Sequence, residues 1–504
     1  MSSCPVRHEG GASGHEGPPA PPSTEHPGAY PPGPSFLRYA WLYVREGCSF
    51  LRLAARLLRT YGDIVHVQVG SRHHIYINQP EANEQIMLAG YAMRTSRPAT
   101  LRHAVGQGLI TSQGELHRKM RGLIQPFFLR PALADKSAMI VEQNIHMLSR
   151  WRDGETRDMA EEMTHLTLHI ITRTLFGTAY TDEDMVRRIG RATQILHQYG
   201  NQSPMSYLNM RLETLPGLGR LAFTAGARQF LDDLIYGQMH ERRAARQYDG
   251  PDLLSALLRA QAAQPEFREL TDRHIRDEML TLFAAGHETT ASALAWTWYL
   301  LSQHPEVERR FHEELDRVLE GRWPKHDDVP NLRYTRMVLL ESMRLYPPVW
   351  TLGRRPEREG YQVGGYRIPR KSMIVISPFI TQRDARFFPD PERFDPQRFT
   401  PAEEAKRPRG TYFPFAGGNR RCIGEPLAMT EAMLTLAAVG SRWRLRLVPG
   451  HRIEIEPFIS LKPKYGVRMT LEQRPACAAA STSGMDAAGR RDAPAPRASD
   501  GAAG

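Results

Sequence analysis

Cysteine is scarce in this chain: Cys4, Cys48, Cys422 and Cys477 are the only four in 504 residues. No two of them stand in C-x-x-C spacing. That excludes a disulfide framework and a cysteine-based zinc or iron–sulfur site, and it fits a reducing compartment. A long hydrophobic run is missing as well. A membrane span takes about 20 consecutive apolar residues. The first apolar stretch, SFLRYAWLYVREGCSFLRLAARLL from Ser35, is broken by Arg38, Arg45, Glu46, Arg52 and Arg56. An integral anchor is therefore not expected there. The stretch reads as amphipathic helix packed on the body, with a helix lying on a membrane surface as the alternative. Met1 leads into Ser-Ser-Cys-Pro without a basic start or an apolar run, so no secretory leader is expected and the location reads as cytoplasmic. Lysine is rare too: of 66 cationic residues, seven are lysine. The net charge of +11 is thus borne by arginine. It is either a solvated basic surface or a docking face for an acidic partner.

What is present divides the chain in three. Residues 1–34 are rich in Pro, Gly, Ser and His, and residues 472–504 in Ala, Arg, Pro, Gly and Ser. Both read as disordered tails, because so few apolar groups cannot offset the entropy of ordering. The ordered body spans 35–471. Within it, apolar residues recur at spacings of three and four, the helical period. The segment 271–302, TDRHIRDEMLTLFAAGHETTASALAWTWYLLS, predicts a helix with Thr271 as N-cap and Pro305 just past its end. At 1.5 Å per residue it runs about 48 Å. It is apolar on more than one face, so it crosses the core. The segment NLRYTRMVLLESMRLY predicts a helix that stops at Pro347-Pro348. EGYQVGGYRIP alternates around Gly364-Gly365 and predicts a β-hairpin. The fold class is mainly α with a small β region.

The chemistry centres on FAGGNRRCIGEPLAMTEAM, from Phe415. A lone cysteine is usually a small buried hydrophobe. Cys422 stands apart because of its setting. Two glycines precede it and Gly424 follows, so the backbone can come close to something bulky. Pro426 and LAMTEAMLTLAAV then open a helix, whose N-terminal N–H groups and dipole favour a thiolate. Arg420 and Arg421 add positive charge. With no second cysteine or histidine nearby in sequence, a metal held by Cys422 must bring its other ligands along, as haem does.

This segment resembles the F-x-x-G-x-R-x-C-x-G pattern of the cytochrome P450 superfamily, with Phe415, Gly418, Arg420, Cys422 and Gly424 in place. Three further segments resemble family motifs in the expected order. Ala285-Gly286-His287-Glu288-Thr289-Thr290, in the long helix, is similar to the oxygen-binding signature. Read from the residues, Ala285 and Gly286 leave room for a flat cofactor and a diatomic gas, and Thr289 can bond a carbonyl one turn back. Glu341 and Arg344, at i,i+3, can pair on one helix face. With Arg398 of Pro396-Gln397-Arg398-Phe399 they resemble the family's buried Glu–Arg–Arg network. GELHRKMRGL carries His117 and Arg121, where many relatives place Trp in the position of His117. The resemblance makes these two, together with Arg420 and one of Arg354 or Arg355, the candidates for holding haem propionates. Spacing to Gly365-Tyr366 favours Arg355.

The resemblance implies a triangular helical prism around a buried haem b, with Cys422 as axial ligand. It implies a soluble bacterial-type monooxygenase of secondary metabolism that puts one oxygen atom of O2 into a C–H or C=C bond. Glu288 and Thr289 are the implied acid–alcohol pair for proton delivery. The body carries no flavin or iron–sulfur segment, so NAD(P)H-derived electrons come from a separate ferredoxin or flavodoxin with its reductase. Arg118, Lys119, Arg407 and Arg409 are candidate contacts for it. Other expected partners are a lipophilic small molecule, no nucleic acid and no integral membrane anchor. Ligand contacts are expected from 93–108, 194–234, the long helix, 349–353 and 458–461. Leu282, Ala285, Trp350, Leu352 and Phe458 are expected nearest the oxygen site. Two other classes remain open here. One is a haem-thiolate isomerase, dehydratase or peroxygenase, which works without external electrons. The other is a non-catalytic binding or recruiting protein that keeps the fold.

Overall fold

A computed structural model describes residues 30–95, 99–177, 182–199, 223–263, 270–370 and 372–475. The long helix runs Asp272–Gln303. Thr271 caps it: its hydroxyl accepts from the His274 N–H, and the His274 ring accepts from the Thr271 N–H, each at 3.2 Å. That reciprocal cap satisfies donors that the first helical turn leaves unpaired. Nearly every residue from Ile275 to Leu301 is buried, so this helix is the axis of the molecule. Helix Met159–Phe176 packs along it more extensively than any other element. Gly286 makes that closeness possible: a Cβ there would lie 2.6 Å from Ile171 Cδ1. The Thr167 hydroxyl also donates across the contact to the His287 carbonyl, at 3.0 Å. Helices Arg333–Leu345 and Glu425–Gly440 pack against the same axis and complete the main apolar core.

The β structure is small and lies to one side. Strands β1 (Ile64–Val69), β2 (Arg72–Ile77), β3 (Met93–Thr95), β5 (Leu352–Pro356) and β8 (Met373–Ile376) form one sheet in the order β1-β2-β8-β5-β3. The β2–β8 pair is parallel and the rest are antiparallel. One face carries Ile75, Ile77, Leu352, Ile374 and Ile376 and packs with Ile86, Met87 and Phe413. The other face carries Val65, Val67, Tyr76 and Val375 and is covered by Leu53 and Leu57 of helix Phe50–Tyr61. The hairpin expected at Gly364-Gly365 is present as β6 (Tyr361–Val363) and β7 (Tyr366–Ile368). Both glycines have positive φ, +54° and +83°, which the tight turn between such strands requires. Strand β4 (Thr156–Asp158) pairs with β12 (Arg468–Gln473), which pairs with β9 (Trp443–Leu447). Strands β10 (Ile455–Pro457) and β11 (Leu461–Pro463) form a separate ribbon.

The body reaches slightly beyond the boundaries expected at 35 and 471. The Pro32 carbonyl accepts from the His66 N–H at 2.9 Å, and Gln473 pairs with Trp443 in the sheet. Most of both expected tails, and residues 200–222 of the segment expected to contact ligand, lie outside the described residues.

Candidate functional site

Cys422 lies between a single 3-10 turn, Gly418–Arg420, and helix Glu425–Gly440. Its N–H donates to the Phe415 carbonyl at 2.9 Å, which closes the loop. Gly418 has φ +63°, and a Cβ there would lie 2.3 Å from the Met87 carbonyl oxygen. This glycine therefore seats the loop on the end of helix Pro80–Leu88. Gly424 differs. A Cβ there would meet only the Cys422 Sγ, at 4.0 Å. Nothing in the chain itself demands a glycine at 424, as expected of the wall of a cradle for another group.

The Cys422 thiol has accessible surface, yet burial pushes its pKa up. The two agree if that surface faces a recess inside the fold. The backbone N–H groups of Gly424 and Glu425 and the Arg121 guanidinium pull the pKa down, while the Glu425 carboxylate adds to the rise. The helix N-terminal donors thus offset part of the cost of burying the sulfur as an anion. Among the described residues no cluster of His, Cys, Asp and Glu could hold a metal by itself. A single thiol in such a place fits a metal that carries its own equatorial ligands.

Cationic groups gather beside the loop. Arg420 donates to the Ser112 carbonyl at 3.0 Å and to Gln113 Oε1 at 2.9 Å. Arg121 donates to the Arg421 carbonyl at 2.9 Å. His117 is buried, with Nδ1 3.2 Å from the Tyr91 hydroxyl. Burial, then Arg420, then Arg121 hold its pKa down to about 3, so its ring is neutral at physiological pH. Two guanidiniums around a ring that cannot share their charge suit an anionic group such as a carboxylate pair. The alternation of β5 puts the two neighbouring arginines, Arg354 and Arg355, on opposite faces of the sheet. Arg354 pairs with Ile374, shares the face of Leu352 and is 4% exposed. Arg355 is exposed on the opposite face and lowers the pKa of His74. Arg354 is thus the arginine of the pair that turns into the fold, as the two-residue alternation of a strand dictates.

In the long helix, the Thr289 hydroxyl donates to the Ala285 carbonyl at 2.8 Å. Glu288 turns elsewhere: its Oε1 accepts from the Ser460 hydroxyl at 2.7 Å and pairs with Lys462 Nζ. The acid and the alcohol thus point to different partners. The expectation that Gly286 makes room for a cofactor is also corrected, because Ile171 fills that space. Ala285, like Gly286 and Thr289, is partly exposed, where Leu282, Phe283 and Ala284 are buried.

Below the loop, Glu341 and Arg344 are completely buried. Arg344 makes a two-pronged contact with Glu341, at 2.6 and 2.8 Å, and donates to the carbonyls of Gln382, Pro391 and Arg393. Arg398 Nε lies 3.5 Å from Glu341 Oε1, and the Asp395 N–H donates to the same oxygen. Arg407 belongs with this group. It is half-buried over the rings of Phe388, Phe399 and Tyr412, which removes it from the set of exposed docking cations. Arg118, Lys119 and Arg409 remain exposed.

The expected pocket residues divide. Leu282 belongs to the main core and Leu352 to the sheet's inner face. Trp350 packs with Leu51 and Leu461, and its indole N–H donates to the Phe458 carbonyl at 2.9 Å. It braces the β10–β11 turn, on which Phe458 is half-buried. Sequence reasoning missed several residues. Tyr91 and Gln113 anchor His117 and Arg420. Ser460 and Lys462 hold Glu288. Asp277 and Glu278 pin the 106–109 loop to the long helix through the N–H groups of Gln107 and Leu109. The polar sequence around these carries no periodic signal that singles them out.

A family model described as cytochrome P450 matches residues 27–469. The chain belongs to the cytochrome P450 family. It is 36% identical over 434 residues to cyclooctatin synthase of Streptomyces melanosporofaciens, covering 86% of this chain and 92% of that protein. Cyclooctat-9-en-7-ol 5-monooxygenase of the same organism is 38% identical, covering 78% of this chain and 84% of the relative. Pentalenene oxygenase of Streptomyces avermitilis is 33% identical, with coverages of 84% and 91%. Among solved structures, the heme domain of cytochrome P450DA matches with a TM-score of 0.77 at 23% identity, covering 89% of this chain and 98% of that one. This cytochrome P450 is a monooxygenase, and the family implies haem iron and the use of O2. No described helix is long and apolar enough to cross a membrane.

Proposed function

We propose that this P450 oxygenates a cyclic terpene or terpene alcohol, with haem b held by Cys422 and electrons delivered from NAD(P)H through a ferredoxin or flavodoxin and its reductase. The observation that supports it most is the gathering of Arg121, His117 and Arg420 beside a thiol at a helix N-terminus. Those side chains suit an iron porphyrin with two carboxylates. Bound there, haem supplies the binding and reductive activation of O2.

The chain's own residues do the rest. Gly424 and Glu425 N–H groups stabilise the sulfur as an anion. Thr289 presents a hydroxyl one turn from Ala285, where it can pass a proton into the recess. Glu288, paired with the partly exposed Lys462, is the link from solvent to that hydroxyl once its side chain rotates away from Ser460. Ala285 and Phe458 offer partly exposed apolar surface without charge, as a hydrocarbon skeleton requires. The relatives named for cyclooctat-9-en-7-ol and pentalenene point to polycyclic carbon skeletons for this chain too.

The test is a panel of cyclic terpenes and terpene alcohols, with linear and charged compounds beside them, scored first by haem spectral shift. Those that bind are then incubated with NAD(P)H, a ferredoxin, its reductase and labelled O2. The expected result is one product carrying one labelled oxygen, formed only with reductant. Product formed equally without reductant would contradict the monooxygenase reading. Binding confined to linear or charged compounds would contradict the substrate class.

A further inference from the structure

The N-terminal helix Phe36–Arg45 is built the wrong way round for a water-facing helix. At about 100° per residue, Phe36, Leu37, Ala40, Trp41 and Val44 share one face. That face points outward: Leu37, Trp41 and Val44 are 79%, 56% and 68% exposed. The opposite face holds Leu42 and Tyr39, which pack with Val65, Val67 and Tyr76 of the sheet. A surface helix normally turns its polar side to water. Here the outer side is apolar, and its edge is cationic. Arg38 and Arg45 flank the strip, with the Arg45 guanidinium 5.1 Å from the centre of the Trp41 ring. Arg52, Arg56 and Arg59 are exposed on the next helix, Phe50–Tyr61, and Glu46 is the single acid between Ser35 and Tyr61.

Three occupants can cover such a strip. A second copy of the chain is disfavoured by size and charge. A ten-residue helix is about 15 Å long, and a strip of that length offers on the order of 150 Å², against about 800 Å² per partner in a stable interface. Two copies would also bring five arginines against five. The chain's own first 29 residues are a poor cover, since they contain one Val and no Leu, Ile, Phe or Trp. A lipid surface bearing negative headgroups matches both features: apolar side chains enter the headgroup–acyl boundary while arginines meet phosphates. We propose that this face docks the enzyme peripherally on an anionic lipid surface. The proposal does not depend on the identity of the substrate.

The experiment is co-flotation of the full-length holoprotein with vesicles. One set is phosphatidylcholine alone and the other is phosphatidylcholine mixed with phosphatidylglycerol. The expected result is recovery with the anionic vesicles only, reversed by high salt. A triple variant, Leu37→Ser, Trp41→Ser and Val44→Ser, should lower the bound fraction about tenfold or more. Its haem content and circular dichroism should match the wild type, because the replaced side chains are exposed. Trp41 should also give a blue-shifted emission on vesicle addition that the Trp41→Phe variant lacks. Absence of binding to anionic vesicles, or undiminished binding of the triple variant, would overturn the proposal. So would a lipid-independent dimer in sedimentation velocity that the triple variant abolishes, which would assign the strip to a second copy.

Discussion

Glu341 shows how much one buried residue can carry. Its carboxylate has no exposed surface and is shared by Arg344, Arg398 and the Asp395 N–H. Removing it leaves Arg344 charged and half-paired in the core. Breaking a buried pair in this way typically costs about 3–5 kcal/mol. Glu341→Ala is expected to give little haem-loaded protein, measured as haem per polypeptide; normal holoprotein yield would contradict the role. Thr289→Ala should keep haem content and stability but divert reductant to peroxide or water, read as product per NAD(P)H. An unchanged ratio would remove Thr289 from proton delivery. Ala285→Phe should keep the fold but block or redirect oxidation, since Ala285 is partly exposed and the added ring takes space from the substrate. Unchanged turnover and product position would place the pocket elsewhere. The sequence made Cys422, Glu341 and Arg344 legible because their partners lie at fixed short spacings. It could not show that Glu288 bonds Ser460 and Lys462, 172 and 174 positions on, because pairings over such distances leave no local pattern.

The long helix illustrates both the reach and the limit of pattern reading at the scale of an element. Its span, its Thr271 cap and its burial all follow from composition and period. The reason for Gly286 does not, because the neighbour that needs the space, Ile171, belongs to another helix. Gly286→Ala is therefore expected to overpack the contact and cost about 1–3 kcal/mol, measured by denaturant unfolding. Combined with Ile171→Val, which trims the neighbour, it should cost less than the sum of the two single changes. If Gly286→Ala leaves stability unchanged but abolishes haem binding, the glycine serves the cofactor after all. The β10–β11 ribbon is the converse case. The long helix clamps it through Ser292 and Trp296, both donating to the Leu461 carbonyl at 2.5 and 2.9 Å. Trp350 holds it from the other side. Trp350, singled out in the sequence as a ligand neighbour, fixes the position of that turn through its indole N–H.

For the whole molecule, charge and acid response follow from where the cations and histidines sit. Arg118, Lys119 and Arg409 are exposed, so a redox partner docking through them should be salt-sensitive, with exposed charges screened over about 8–10 Å. Electron-transfer rates independent of salt would assign the charge to solubility. His66 and His169 are held at about 4 from 6.5, in each case chiefly by burial. Their neutral forms are favoured in the fold, and the unfolded chain takes up protons first as pH falls. Stability from these groups is complete above about pH 6.5 and declines toward pH 4. Urea midpoints of the holoprotein should follow that window, and His66→Gln with His169→Gln should flatten it. Midpoints that do not move between pH 7 and 4 would contradict the burial of these rings.

The central claim, that Cys422 binds haem iron as a thiolate, is tested most directly by the absorption spectrum of the reduced protein under carbon monoxide. The account predicts the red-shifted Soret band of thiolate ligation in the wild type and its loss in Cys422→Ala. A wild-type band typical of histidine ligation, or a thiolate band that survives in Cys422→Ala, would contradict it.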